Sequence, residues 1–301
     1  MIESIMDKFD ISVVVPTFKS ERVIARCLGS ILAQHDTGIE IIIVDGASPD
    51  NTLRVVQGLN VPDIVVISEP DNGIYDAINK GISIARGTMI GVLGSDDTYE
   101  HHTLFFVKKH MQDGFGIVAG LTELDGKLRA DEPYGKASLI SGIPFGHNAM
   151  FASRETYKEV GLYDESYRIC GDAQWVHRAI KKNIKCLKID ELFVRFGTGG
   201  VSSTNPEEIM AETYRAIQEN FPFLSQDEIK SIFSAYRKWG GQETIPSILQ
   251  KYEKNSNFVE TISEAFPKSK KFEMESKIGS KFIKSNLRQI LGRLRSKTPN
   301  V

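Results

Sequence analysis

The sequence has little of what marks several protein classes. Its three cysteines, Cys27, Cys170 and Cys186, stand far apart, and no CxxC pair occurs. That excludes a zinc ribbon and a disulfide framework, and it predicts reduced, buried thiols of the kind found in a cytosolic chain. No apolar run approaches the roughly 18–20 residues of a membrane span. The opening MIESIMDKFD mixes charges and does not resemble a secretory signal. Net charge is only −2, so no global field calls for nucleic acid, and no nucleic-acid partner is expected. The segment after the first apolar run, VPTFKSER, contains no glycine. Both the dinucleotide fingerprint GxGxxG and the P-loop GxxxxGK[ST] are therefore missing.

What is present is ordinary globular chemistry. The 301 residues are 41% hydrophobic and 25% charged, enough for one large domain with or without an appendage. The charge is uneven. Residues 268–297 hold ten basic side chains against Glu273 and Glu275, a local charge of +8 beside −10 for the rest. A basic tail on an acidic body suggests that the tail has an anionic partner of its own. On a helical wheel, Ile283, Leu287, Ile290, Leu291 and Leu294 fall within one face about 100° wide. Lys277, Lys281, Lys284 and Arg288 lie on its flank and far side. Such a basic amphipathic helix either lies on an anionic membrane surface or packs on the body with solvated lysines.

The first hundred residues alternate between two periodicities. ISVVV (11–15), IEIIIVD (39–45), 64–67 and 88–93 are continuous apolar runs that predict strands buried on both faces. Pro16 is expected to end the first strand and Ser20 to cap the first helix. Ser48-Pro49 has the form of a cap followed by proline at the first helical position. Strand and helix alternating at this spacing predict an α/β fold with a doubly wound, mostly parallel sheet. Later come a hairpin about Asp125-Gly126, helices over 153–160 and 173–183, a strand over 187–196, a small-residue loop over 197–206, and a helical C-terminal part. The expected division is 1–205 as the catalytic domain, with 10–100 for a nucleotide and 101–205 for an acceptor, and 206–301 as a helical extension ending in the basic tail.

Ligands of such sheets sit outside the carboxyl ends of the strands. Pro16-Thr17, Asp45 and the adjacent Asp96-Asp97 all follow strands and should share one rim. Two like charges at a strand end are costly unless a cation stands beside them. Mg²⁺ or Mn²⁺, held by one or two carboxylates plus substrate phosphates, fits that need.

The segments ISVVVPTFKSERVIARCLGSILAQ, IEIIIVDGASPDNT, EPDNGIYDAINKGISIARGTMIGVLGSDD and GDAQW together resemble the family 2 glycosyltransferases of GT-A fold, over roughly residues 10–205. DNGIYDAINKGI is similar in particular to bacterial members that build exopolysaccharide, capsule or O-antigen. The resemblance implies an inverting, metal-dependent transfer of sugar from a nucleoside-diphosphate donor, UDP-linked, to a glycan or polyprenyl-linked acceptor. It assigns Pro16, Thr17 and Glu21 to base and ribose, Asp45 to the uracil-like base and Asn79 to the donor. Asp96 would face ribose or sugar, and Asp97 would hold the metal. Gly94 departs from the family, which often has Asp or Asn there. Asp172 in GDAQW matches the general base; the alternative is a plain helix cap, and one residue can serve both roles. Asp164 and Glu165 are rival bases.

His147 has a family counterpart near the acceptor or diphosphate, and it suits a structural hydrogen bonder equally. Trp175 either walls the acceptor site or packs in the core. Arg195 and the loop through Ser202 have the chemistry to meet the diphosphate on closure. Tyr75 and Asp76 face either the donor or solvent, and His101 and His102 are expected in solvent. The family's acceptors place such a protein in the cytoplasm, peripheral on the inner face of the cytoplasmic membrane, attached through 268–297. Two competing readings are a nucleotide-sugar-binding module without catalysis and a nucleotidyltransferase.

Overall fold

A computed structural model of the chain describes residues 9–34, 38–59, 61, 64–129, 132–197 and 205–267. The basic tail and Ser202 lie outside the described residues, so their assignments carry no structural account.

The four apolar runs form β1 (Ile11–Thr17), β2 (Ile39–Asp45), β3 (Ile64–Ser68) and β4 (Met89–Val92). Between them lie α1 (Ile24–Leu32), α2 (Thr52–Gly58) and α3 (Ile74–Ile84). The strands pair in parallel, with Thr17 opposite Asp45 and Asp45 opposite Ser68. β5 (Thr98–Tyr99), α4 (Thr103–His110), β6 (Ile117–Leu124), β7 (Lys127–Leu128), β8 (Met150–Ser153), α5 (Arg154–Val160), α6 (Gly171–Lys181) and β9 (Cys186–Phe196) follow. The nine strands form one sheet in the order β3-β2-β1-β4-β8-β6-β9-β5, with β7 paired to β6.

The expected mostly parallel sheet is in fact mixed. The link from β6 to β8 carries a hairpin and two short 3₁₀ turns rather than a crossover helix. β8 accordingly runs antiparallel to both β4 and β6. β9, reached through α5 and α6, is parallel to β6. The hairpin falls at Asp125 (φ 50°) and Gly126 (φ 73°), as a type I′ turn requires.

Period-2 alternation divides the core. Val13, Val15, Ile41 and Ile43 face α1, α2 and α4. Val14, Ile42 and Val44 face α3, α5 and α6. The second core continues without a break into α7 (Pro206–Asn220), α8 (Gln226–Tyr236), α9 (Ile245–Lys251) and α10 (Ser256–Ala265) through Ile217, Phe221, Phe233, Ile248, Phe258 and Ile262. The C-terminal helices thus extend that core, packing on α6 and on the 3₁₀ turn over Lys136–Ile140.

Three local expectations are corrected. Pro16 does not end β1: Pro16 pairs with Val44 and Thr17 with Asp45, and proline is tolerated because its missing N–H costs little near a strand end. Ser20 does not cap α1, which begins four residues later. Its Oγ lies 2.7 Å from Ser95 Oγ and ties the loop after β1 to the one after β4. Ser48-Pro49 does not open α2. Ser48 N donates to Asp45 Oδ2 at 3.0 Å, and Asp50 Oδ1 accepts from the Thr52 amide at 3.1 Å just before the helix.

Candidate active site

The carboxyl ends of β1, β2 and β4 make one rim, as parallel pairing of these runs demands. Asp45 is fully buried there. Its Oδ2 accepts from Ser48 N (3.0 Å) and Ser68 Oγ (2.7 Å), whereas Oδ1 has no partner among the described residues. Thr17 Oγ1, on the strand position opposite, is also buried and unpaired. An acceptor and a hydroxyl left open side by side fit a planar ligand edge that supplies the missing bonds, since orphaned buried polar atoms are costly. Glu21 stands at the edge of this pocket rather than in it: its Oε2 accepts from both the backbone and side-chain nitrogens of Asn51, at 3.0 and 3.1 Å.

Asp96 and Asp97 follow β4. Asp97 is only 3% exposed. Its Oδ1 accepts from Gly197 N (2.7 Å) and its Oδ2 from Asn148 Nδ2 (2.9 Å). Burial, with the neighbouring Asp96 charge adding to it, pushes the carboxyl up to about 6 despite those bonds. Asp96 is half-buried, and its carbonyl accepts from Arg26 Nη2 at 2.8 Å. The departure at Gly94 has a steric reason. A Cβ there would stand 2.8 Å from Asp97 Oδ2, so a side chain and this placement of Asp97 cannot coexist without movement.

Among the described residues, no group of three or more His, Cys, Asp or Glu side chains is gathered to hold a metal unaided. The pair nevertheless fits a hard divalent cation whose shell is completed by phosphate oxygens. Each Asp97 oxygen keeps a lone pair beyond its one hydrogen bond, Asp96 is accessible, and a cation would offset the burial cost of the Asp97 charge.

Asp172 sits in the first turn of α6, half-buried. The cap position is Cys170, so Asp172 is not the cap. Its Oδ1 accepts from Ala173 N at 2.7 Å, and its own amide donates to Tyr75 Oη at 3.1 Å. The helix dipole favours an ionised carboxylate here. Tyr75 stacks on Tyr163 at 5.6 Å, and Tyr163 Oη lies 2.7 Å from His147 Nε2. Burial lowers the His147 pKa, while the Asp172 charge pulls the other way. Asn148, next in sequence, is the residue bonded to Asp97. A continuous chain of contacts therefore joins Asp97, Asn148, His147, Tyr163, Tyr75 and Asp172.

Other sequence candidates are structural. Asn79 spends both amide hydrogens, on Tyr163 O and Glu165 Oε1 (each 2.9 Å), and accepts from Tyr163 N; it pins the 163–165 loop to α3 rather than facing a donor. Trp175 is fully buried against Tyr157 and Tyr163, with Nε1 donating to Gly161 O at 2.7 Å, so it walls no acceptor site. Arg195 is exposed and paired with Glu100 and Glu123 across the strands. The rival Asp164 is occupied by Ser166 N and Oγ. Asp76 Oδ2 accepts from Asn72 N at 2.8 Å. Residues that sequence reasoning missed are Asn148, Tyr163, Ser68 and the amide of Gly197. Only Ser68, at the end of an apolar run, carried a local signal.

With this geometry in view, the relationship to known proteins becomes specific. Residues 12–179 match the family described as Glycosyl transferase family 2. The chain belongs to that family. Among its relatives, a PGL/p-HBAD biosynthesis glycosyltransferase of Mycobacterium bovis is 26% identical over 239 residues, covering 76% of this chain and 90% of the relative. The fold is similar to that of TarS from S. aureus in complex with UDP-GlcNAc, with TM-score 0.62, 17% identity, and 86% and 81% of the two chains covered. It is also similar to the mannosyltransferase PcManGT from Pyrobaculum calidifontis in complex with GDP-Man and Mn²⁺, with TM-score 0.59, 14% identity, and 96% and 81% covered. As a family 2 glycosyltransferase, the protein is an enzyme that transfers a sugar.

Proposed function

We propose that the protein is an inverting, metal-dependent glycosyltransferase that moves a sugar from a UDP-linked donor to a glycan or lipid-linked glycan of the bacterial cell surface. The observation that supports this most is the contact chain that links Asp97 to Asp172 through Asn148, His147, Tyr163 and Tyr75. Asp45 Oδ1 and Thr17 Oγ1 would meet the base. Asp96 and Asp97 would hold a divalent cation, which when bound supplies charge neutralisation for the departing diphosphate.

Asp172 would accept the proton of the acceptor hydroxyl as that oxygen bonds to the anomeric carbon. The bond to the diphosphate would break in the same step, its electron pair leaving with the diphosphate, so that the anomeric configuration inverts. His147 would lie between the two carboxylate sites, held there by its bond to the buried Tyr163 hydroxyl. The expected donor is UDP-linked, although the structural relatives include both a UDP-GlcNAc and a GDP-Man complex, and both base types can donate N–H to a carboxylate. For the 268–297 tail we propose attachment to an anionic membrane surface.

A screen of UDP- and GDP-sugars with Mn²⁺, by thermal shift and then by transfer, tests the donor. Proton NMR of the linkage formed tests inversion. Stabilisation by GDP-sugars alone, a product with retained anomeric configuration, or donor binding without any sugar release would each refute the corresponding part.

A further inference from the structure

The turn that leads into Asp172 is held from outside the catalytic fold. Residues 168–170 present three successive backbone amides just ahead of α6. All three are taken by one side chain, Glu212 of α7. Its Oε1 accepts from Arg168 N (2.6 Å), and its Oε2 accepts from Ile169 N (2.9 Å) and Cys170 N (2.7 Å). Glu212 is 8% exposed. A carboxylate at that depth is tolerated only when strongly hydrogen-bonded, and charge-assisted bonds to three amides supply this.

Glu212 is the centre of a stripe. Glu208 lies 3.9 Å from Arg168 Nε. Arg215 stacks 4.1 Å over the Tyr167 ring and donates to Ser166 Oγ at 2.7 Å. Glu219 accepts from Tyr167 Oη at 2.9 Å. Positions 208, 212, 215 and 219 are spaced four, three and four apart, which places them along one face of a helix. That face grips the 166–170 loop, while Ala216 and Ile217 seat α7 in the core. On its other side the loop meets Tyr75, whose hydroxyl donates to Ile169 O at 2.6 Å and accepts from Asp172 N.

We infer that Glu212 is a positioning residue for catalysis: by clamping the 168–170 amides it fixes where Asp172 meets the acceptor hydroxyl, which makes α7 part of the catalytic machinery. The inference rests on the reading of Asp172 as the base. Glu212 itself touches no substrate. Gln at this position offers one neutral acceptor oxygen where the carboxylate offers two, so the turn loosens without loss of side-chain volume.

The test is a double-mutant cycle on the full chain. Glu212→Gln, Glu212→Asp, Asp172→Asn and Glu212→Gln/Asp172→Asn are compared for kcat, donor KM and UDP affinity in Mn²⁺, with Glu219→Gln as a control for loosening α7 elsewhere. Glu212→Gln should lower kcat by about tenfold or more, leave donor KM and UDP affinity within about twofold, and add nothing once Asp172 is Asn. Glu212→Asp, which keeps the charge, should recover part of kcat. Glu219→Gln should lower kcat by less than Glu212→Gln.

An unchanged kcat in Glu212→Gln overturns the inference. So does an equal loss in the Asp172→Asn background, or an equal loss in Glu219→Gln. Loss of UDP binding in both Glu212 variants makes Glu212 a folding residue and overturns it as well. Failure of the base assignment is a separate result, seen as near-normal turnover in Asp172→Asn alone.

Discussion

Asp97 combines a negative charge with near-complete burial, and each of its oxygens is met by a single neutral donor. Such a group gains most from a nearby cation. Asp97→Asn should therefore leave the fold intact and remove the dependence of UDP affinity on Mn²⁺, a change on the order of tenfold or more by the scale on which disturbed metal sites lose affinity. Titration calorimetry of UDP with Mn²⁺ and with EDTA measures it; equal Mn²⁺ enhancement in both proteins would count against the assignment. Asp172 plays a different part. Asp172→Asn should keep UDP affinity and lower turnover by about 100-fold or more. If turnover persists, Asp164 and Glu165 are the next residues to examine. The side-chain types at 45, 96, 97 and 172 were legible because their positions after strands or at a helix start are local facts. Asn79, Trp175 and Arg195 have equally suggestive side chains, yet their partners lie 12 to 95 residues away in sequence, where no local pattern encodes them: Trp175 meets Tyr163, Asn79 meets Tyr163, and Arg195 on β9 meets Glu100 just past β5.

Elements fix these residues through long-range grips at both ends of α6. At its start Glu212 holds the preceding turn. Near its end His177, fully buried, receives a hydrogen bond on Nδ1 from the amide of Asn220, the last residue of α7, at 2.9 Å. Burial lowers the His177 pKa from 6.5 to about 4, against the opposing carbonyls of Gly142 and Ser138. Because the folded value is the lower one, the unfolded chain binds the extra proton first. Stability from this group is complete above pH 6.5 and is lost as pH falls toward 4, by about 3 kcal/mol for a shift of this size. Protonation also sets an N–H against the Asn220 amide. The Tm of the wild type should therefore fall more steeply between pH 6.5 and 4 than that of His177→Gln; parallel curves would show that His177 does not drive the acid sensitivity. The strand and helix pattern of the first four strands and the Asp125-Gly126 hairpin were legible from periodicity and turn chemistry. The antiparallel entry of β8 was not, because strand direction depends on how the chain returns rather than on the residues of the strand.

At the scale of the whole molecule, the boundary near residue 205 that composition suggests is not a boundary in the packing. α7 to α10 continue the core that Val14, Ile42 and Val44 begin, packing their own apolar side chains on α6 and on the 3₁₀ turn over Lys136–Ile140. α10 contributes Phe258 and Ile262, both buried, and Glu264 Oε1 accepts from Ala137 N at 3.0 Å. A cut inside α10 would therefore damage the core and confuse loss of the tail with loss of the fold. No helix among the described residues is long and apolar enough to cross a membrane. The tail supplies ten basic residues, each contributing roughly 1 kcal/mol near an anionic surface before screening by salt. A variant ending at Pro267 keeps α10 whole and removes that charge. It should retain donor hydrolysis and Tm close to the full chain, and it should lose co-sedimentation with phosphatidylserine-containing liposomes at low salt. Full-length binding should itself weaken as salt rises, because the contact is electrostatic. Equal co-sedimentation of the two proteins would refute the membrane role of the tail, whereas a parallel loss of hydrolysis would mean that residues beyond 267 support the catalytic fold.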